Sequence, residues 1–340
     1  MNIDTLSYLE GRNDIRLKLS DEKRKLLLDK ISEKYGNVTI FCKRCGMNYD
    51  TAGRWLTLSV YRRREPSFVI SEKFCNMLDI KNSALTDGTL VVGSGHSFQK
   101  VPKTIRADEN FWEGFGLYYG DGQNKIGTNE FVFTSITPEL SIFAIKWFRK
   151  YFGANISDIR VYVYVPQSKN RQTEANAMVK AIKIPVSCLK ASYHQKKLSN
   201  TCILTMVRNS ALRYLFDEIS KDAERLITTD KRMAAAFLRG YLAAEGNVYM
   251  QKNNRVCCVT IGFGKRSEFE MIGRQLTHLG IEFTTSHGAN KDRTKFYPKI
   301  DIHKKDSVIR LYETVGFGPN KKRHKRLESA VKILRGEQNA

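Results

Sequence analysis

The sequence has no run of about 18 apolar residues, so no membrane-spanning helix is expected. Its first residues, MNIDTLSYLEGRND, lack the basic-then-apolar layout of an export signal, and a cytoplasmic protein is expected. Acids are in deficit: 35 Asp and Glu stand against 57 Lys and Arg. Histidine is scarce as well, six in all, and they form no HExxH or HNH-like grouping. The glycine-rich stretch GFGLYYG is not GxGxxG and follows no clear strand, which argues against nucleotide binding. Seven cysteines, an odd number without an export signal, are read as reduced thiols. Cys42 and Cys45 form a CxxC, but a zinc site needs a second ligand pair. Cys75 stands alone and His96 has no partner nearby, so zinc is not expected.

What is present points elsewhere. The 340 residues suffice for two or three domains, and 41% hydrophobic residues can form a sizeable core. A formal charge of +22 points to a polyanionic partner, because neutralising phosphates releases counterions. The basic residues are spread along the chain and not gathered on one amphipathic helix, which disfavours a membrane surface. The plainer alternative is a basic surface that serves solubility.

Near the N-terminus, RKLLLDKISEKYG (24–36) predicts a helix, with Leu27, Ile31 and Tyr35 on one face and Gly36 as its stop. FCKRCGMNYDTAGRWLT then reads as a helix-turn-helix. Cys42 and Cys45 face inward, Gly46 turns, Met47 packs beneath and Asn48 caps the next helix. That helix buries Ala52 and Trp55 and offers Tyr49, Asp50, Thr51 and Arg54 to a major groove. Arg62, Arg63 and Arg64 follow as a tongue suited to phosphates. SEKFCNMLDI closes a small all-α domain over 1–82. A plain three-helix bundle is the other reading. Residues 83–106, rich in glycine and serine, read as a linker with a short strand at Thr89–Val92.

Two stretches then share one shape: GFGLYYGDG (114–122) and LRGYLAAEG (238–246). Gly116 and Gly120 lie four apart, as do Gly240 and Ala244, so on helices each pair shares a face. Small residues at that spacing let helices touch backbone to backbone. Packing must then offset the roughly 1 kcal/mol that a helical glycine costs against alanine. Asp121 and Glu245 sit one residue past the second small position, 124 residues apart, and would emerge side by side. A divalent cation would relieve their repulsion, and oxygen ligands suit Mg²⁺. Taken singly, either stretch also fits an ordinary core helix ending in a solvated acid.

The flanks repeat too. NEFVFTSIT and NRVCCVTIGF read as strands after each acid. TPELSIFAIKWFRKYFG predicts a helix with Thr137 as cap, Pro138 in the first turn and Gly153 as stop. Its counterpart, KRSEFEMIGRQLTHLG, carries a predicted Ser267–Glu270 capping box and stops at Gly280. CILTMVRNSALRYLFDEI and YPKIDIHKKDSVIRLYETVGF both read strand, basic turn, helix. Duplication of roughly 100 residues accounts for this order. The copies differ in the middle. The first has a long insertion (156–200) with a strand IRVYVYVP and a helix around TEANAMVKAI, where the second has the short connection SHGANKDRTK.

The paired nine-residue motifs with matching flanks, from about Phe111 to Phe317, resemble the LAGLIDADG homing endonucleases in their single-chain, two-repeat form. The resemblance implies an α+β fold: two pseudo-symmetric repeats, over 107–227 and 228–318, whose four-stranded antiparallel sheets form a saddle on DNA. It implies that Asp121 and Glu245 hold Mg²⁺, which Mn²⁺ can replace, with the carbonyls of Gly120 and Ala244 as further ligands. Two-metal hydrolysis would cut each strand at a staggered position. The acid that the family name carries at its sixth position is Tyr119 and Ala243 here; it is not a metal ligand there. A basic residue near each centre is also expected, with Lys197 and Lys299 as candidates. Gln123, Asn124, Lys125, Asn247, Tyr249 and Gln251 are the expected base contacts. The run KKRHKR (321–326) belongs either to a solvated basic tail (319–340) or to a phosphate clamp.

The expected function is a free-standing, monomeric, site-specific nuclease acting on double-stranded DNA. A DNA-binding regulator on the same scaffold is the first alternative; such relatives usually lose an acid, and this chain has lost neither. An RNA-binding intron maturase is the second, and net charge alone does not separate it from the others.

Overall fold

The computed structural model describes residues 1–9, 15–59, 64–85, 89–94, 97–122, 130–194, 200–208, 210–250, 257–289 and 296–337. Strand β1 (Asn2–Asp4), helix α1 (Thr5–Leu9) and strand β2 (Arg16–Leu17) open the chain. Helices α2 (Asp21–Tyr35), α3 (Val38–Cys45), α4 (Tyr49–Leu56) and α5 (Phe68–Met77) follow. Ser20, Asn37, Asn48 and Ser67 each accept a bond from a first-turn backbone N–H. They satisfy amides that no earlier carbonyl can reach. Gly46 ends α3 at φ 61°, where a Cβ would be costly. Leu27, Ile31, Phe41, Cys42, Cys45 and Phe74 fill the centre. Buried Arg24 spans the bundle, bonding the Glu65 carboxylate at 2.6 Å and the Trp55 carbonyl.

Two sequence expectations fail here. The N-terminal part is not all-α, and 83–106 is not a linker. Residues 89–106 hold β3 (Thr89–Ser94), β4 (Ser97–Pro102) and β5 (Thr104–Arg106). β2, β3 and β4 form one antiparallel sheet, and β1 pairs with β5, Asn2 opposite Arg106. The strand expected at Thr89–Val92 lies within β3; β1, β2 and β5 are too short to carry an alternation, and the partners of β1 and β2 are remote in sequence. The Thr5 hydroxyl bonds the carbonyls of Pro102 and Lys103 at 2.7 and 2.8 Å, and the Tyr8 hydroxyl bonds Asp222 at 2.9 Å. The first residues are thereby fastened to the body that follows.

That body is a duplicated α+β unit. The first copy runs α6 (Glu109–Asp121), β6 (Glu130–Ser135), α7 (Pro138–Phe152), β7 (Ile159–Val165), α8 (Arg171–Ile182), β8 (Leu189–Tyr193), β9 (Cys202–Arg208) and α9 (Ser210–Thr228). The second runs α10 (Lys231–Glu245), β10 (Gly246–Met250), β11 (Cys257–Gly262), α11 (Arg266–His278), β12 (Thr284–Ala289), β13 (Phe296–Ile302) and α12 (Lys305–Thr314). The sheets are ordered β6-β9-β7-β8 and β10-β11-β13-β12. Matching β6 to β11, β9 to β13 and β7 to β12 aligns three strands of each sheet; β10 is added at one edge of the second and β8 at the opposite edge of the first. Gly122 bridges to Phe133 as Gly246 pairs with Ile261.

Four details depart from expectation. β8 runs parallel to β7, so the first sheet is not wholly antiparallel; α8 supplies the crossover that a parallel pair needs. IRVYVYV is β7, the counterpart of β12, so the inserted part is only α8 and β8. SHGANKDRTK is not purely a connection, since it begins inside β12. The Ser267–Glu270 box does not form: Lys265 precedes α11 without a side-chain cap, and Glu270 pairs with Arg266 at 2.9 Å.

α6 lies at the centre of the aromatic core. Phe115 stacks on Phe216 and Tyr118 on Phe131, with ring centroids 4.4 and 4.0 Å apart. The Trp147 indole N–H donates to the Phe111 carbonyl at 3.0 Å and docks α7 against α6. Each fully buried large side chain of this kind contributes roughly 1.5–3 kcal/mol. The segment expected as either a solvated tail or a phosphate clamp is helix α13 (Lys321–Arg335), which buries Leu327, Ala330 and Val331 at helical spacing.

Candidate active site

The two motif helices α6 and α10 meet through reciprocal backbone contacts. A Cβ on Gly116 would collide with the carbonyl of Phe237 and lie 3.1 Å from the Tyr241 amide nitrogen. A Cβ on Gly240 would collide with the carbonyl of Glu113 and lie 2.7 Å from the Leu117 nitrogen. Gly240 is Gly116 moved on by 124 residues, and Phe237 is likewise Glu113 moved on by 124. Each glycine therefore faces the same point on the opposite helix, which is what a twofold axis between them requires. Further along, a Cβ on Gly120 would lie 2.8 Å from Ala244 Cβ.

The closing glycines have a local reason. The amides of Gly122 and Gly246 donate to the carbonyls of Tyr118 and Leu242 and end the helices in extended backbone. At both positions an added Cβ would press on that same carbonyl. Small residues, then an acid, then a glycine give a close crossing, a side chain at its end and an abrupt exit into the sheet.

Asp121 and Glu245 sit at these matching ends. Burial is the largest influence on Asp121 and pushes its carboxyl up to about 7; repulsion from Glu245 adds to the rise and Arg323 opposes it. Glu245 keeps an exposed side, yet loss of water around the rest raises it, Glu268 adds to this and Arg323 again opposes. Because the folded value of Asp121 lies above its unfolded one, its favourable contribution is full at acid pH and is lost as pH rises through about 7. Asparagine does not titrate. In metal-free buffer, Asp121→Asn should therefore raise the melting temperature at pH 8 and much less at pH 5. Equal shifts at the two pH values in calorimetric scans would refute the assigned burial.

Among the described residues, one cation faces the pair from outside both motifs. Arg323, on α13, donates through Nη1 to the carbonyls of Ala244 at 2.7 Å, Ala243 at 2.8 Å and Leu242 at 3.4 Å. Asn320 caps α13 by accepting from the Arg323 amide at 3.2 Å, and its Nδ2 donates to the Ala243 carbonyl at 3.0 Å. Arg326 reaches the Val248 carbonyl at 3.2 Å. The KKRHKR segment thus carries a cap for the last turn of α10, where a positive charge also suits the helix dipole. Its sequence signals were present: Asn320 at the helix start and an apolar spacing at 327, 330 and 331.

A divalent ion needs several oxygen ligands. The Asp121 end fits one: a largely buried carboxylate stands beside the Gly120 carbonyl, to which no side chain among the described residues donates. The Ala244 carbonyl differs, because Arg323 already bonds it. Among the described residues no group of three or more His, Cys, Asp or Glu side chains could hold a metal, so further ligands would be water or substrate oxygens.

The other expected residues fall in several places. Lys197, Gln123, Asn124, Lys125, Gln251, Arg62 and Arg63 lie outside the described residues. Lys299 is engaged with Asp301 at 2.7 Å and not with the acid pair. Against the effect of burial, Lys299 and Ser286 hold the Asp301 carboxyl below its ordinary value. Asn247 and Tyr249 are exposed on β10, while Val248 between them is buried, so both point off the open face of the sheet. Tyr49, Asp50, Thr51 and Arg54 line the exposed side of α4, and Arg64 is exposed beside it. Trp55 is only half-buried. No helix among the described residues is long and apolar enough to cross a membrane.

Residues 232–316, from α10 to just past α12, match the model of the LAGLIDADG-like domain, and this segment is such a domain. The first copy repeats the plan of that segment 124 residues earlier. None of the curated proteins matches the chain by sequence. Solved structures similar to it include the homing endonuclease I-DmoI in complex with DNA and Mn, at 16% identity over 63% of this chain and 98% of that one, with a TM-score of 0.34. Another is full-length DUF199/WhiA from Thermatoga maritima, at 14% identity over 69% of this chain and 62% of that one, with a TM-score of 0.42.

Proposed function

We propose that this chain is a site-specific endonuclease that cuts both strands of duplex DNA with a divalent metal. The observation that carries this reading is the acid pair. Asp121 and Glu245 are both present, at symmetry-matched ends of two helices that touch through Gly116 and Gly240. A bound divalent ion supplies an activated water and neutralises charge on the leaving oxygen. The chain's own residues do the rest. Asp121 and Glu245 frame the ion's site, and each serves chiefly one strand because the axis between them relates the strands. The open faces of the two sheets, including Asn247 and Tyr249, meet the groove, and the +22 charge draws the duplex in.

The helices α3 and α4 favour a second reading, a DNA-binding regulator on the same scaffold, because Tyr49, Thr51 and Arg54 are exposed together at one helix. Two retained acids weigh for the nuclease. End-mapping decides. The protein is incubated with Mg²⁺ and genomic DNA, and new ends are sequenced beside an Asp121→Asn/Glu245→Gln control. Discrete ends that vanish in the control are expected. Tight DNA binding without ends would leave the regulator, and preference for RNA would point to a maturase.

A further inference from the structure

Besides the inserted α8 and β8, the twofold relation between the copies breaks at the helix that follows the second copy. α9 passes into α10 through Thr229 and Asp230 alone, whereas α12 is followed by a further helix, α13. α13 has no counterpart in the first copy, and it delivers Arg323 to the end of α10. The guanidinium is not a loose surface group. Asn320 fixes the start of its helix and bonds the neighbouring Ala243 carbonyl, and Leu327, Ala330 and Val331 hold the helix against the body. No side chain among the described residues does the same at the Gly120 carbonyl.

From this placement we infer that Arg323 is a built-in cation of the acid pair: it takes the ligand position at the Ala244 carbonyl, and the centre binds one divalent ion, on the Asp121 side, where symmetry alone would allow two. The inference rests on the nuclease reading above. Guanidinium stays protonated at any working pH, so its charge is permanent. A carbonyl oxygen that accepts from it at 2.7 Å faces a positive charge where a second metal ion would have to sit. With both carboxyls ionised, the pair and the one guanidinium sum to a single negative charge, enough to attract one ion and too little to hold two close together.

A helix cap alone would also place an arginine here. The two roles part on ion count, because a lost cap lowers stability without creating a metal site. The test is Mn²⁺ titration of the full-length protein, followed by electron paramagnetic resonance and calorimetry. Wild type should bind one Mn²⁺ per chain. Arg323→Gln should bind two, or bind the first roughly tenfold or more tightly. Asp121→Asn should lose the wild-type ion and Glu245→Gln should keep it. Two ions on wild type overturn the inference, and that result does not depend on any variant folding. An unchanged count and affinity in folded Arg323→Gln overturn it too. If these failures come with discrete DNA ends, the nuclease stands and only the role of Arg323 falls. No saturable Mn²⁺ on any form, with no ends, removes both.

Discussion

Gly240→Ala is expected to lose roughly 2 kcal/mol of stability, and Gly240→Leu is expected not to fold with its central helices together. The sign is not obvious, since alanine is worth about 1 kcal/mol more than glycine inside a helix. Here the added methyl meets the Glu113 carbonyl and comes within 2.7 Å of the Leu117 nitrogen. Both are backbone atoms of a helix, and they cannot turn aside as a flexible side chain could. Overpacking of this kind costs roughly 1–3 kcal/mol and more when only the backbone can yield. Gly53 is the matched control. It lies inside α4, an added Cβ there meets nothing within 4 Å, and Gly53→Ala should stabilise by roughly 0.5–1 kcal/mol. Thermal melts of both variants measure the contrast. A Gly240→Ala protein that melts at or above wild type would show that α6 and α10 do not cross there.

Asp121→Asn is expected to abolish cleavage of at least one strand, by on the order of 10²–10³-fold or more, with DNA binding retained. The amide keeps the shape of the side chain and removes the charge that holds an ion. On the nuclease reading, binding should survive because the variant leaves the sheet faces and α4 untouched and, by removing an acid, does not lower the net charge of +22. The product to look for is a nicked duplex, with Glu245→Gln sparing the strand that Asp121→Asn spares least. Strand-specific end labels resolve the two. Full double-strand cleavage by Asp121→Asn would end the assignment of that residue.

The motif helices were legible because their constraints are local. Glycines four apart, a following acid and a closing glycine lie within nine residues, and each answers to a contact within one turn or directly across the crossing. The cap at Asn48 was legible on the same grounds. Arg323 was not, since its partners lie at 242–244 and only folding brings the C-terminal helix back to them. In sequence it is one of six consecutive basic or histidine residues, and nothing local sets it apart. The β1–β5 and β2–β3 pairings were hidden in the same way. The parallel edge strand β8 depends on the path of α8, which composition does not disclose.

The backbone crossing also shapes how this protein can change over generations. A side chain that grows too large in a core is often rescued by a neighbour that shrinks. At Gly116 and Gly240 the neighbour is a main-chain carbonyl, which every amino acid carries, so no second mutation can make room. The sheet faces carry no such burden: Asn247 and Tyr249 stand off the body with their alternate neighbours sealed beneath. Inherited variation is thus steered away from the crossing and onto the outer face. A lineage built on this chain can drift on its outer face while the crossing between its two halves stays fixed.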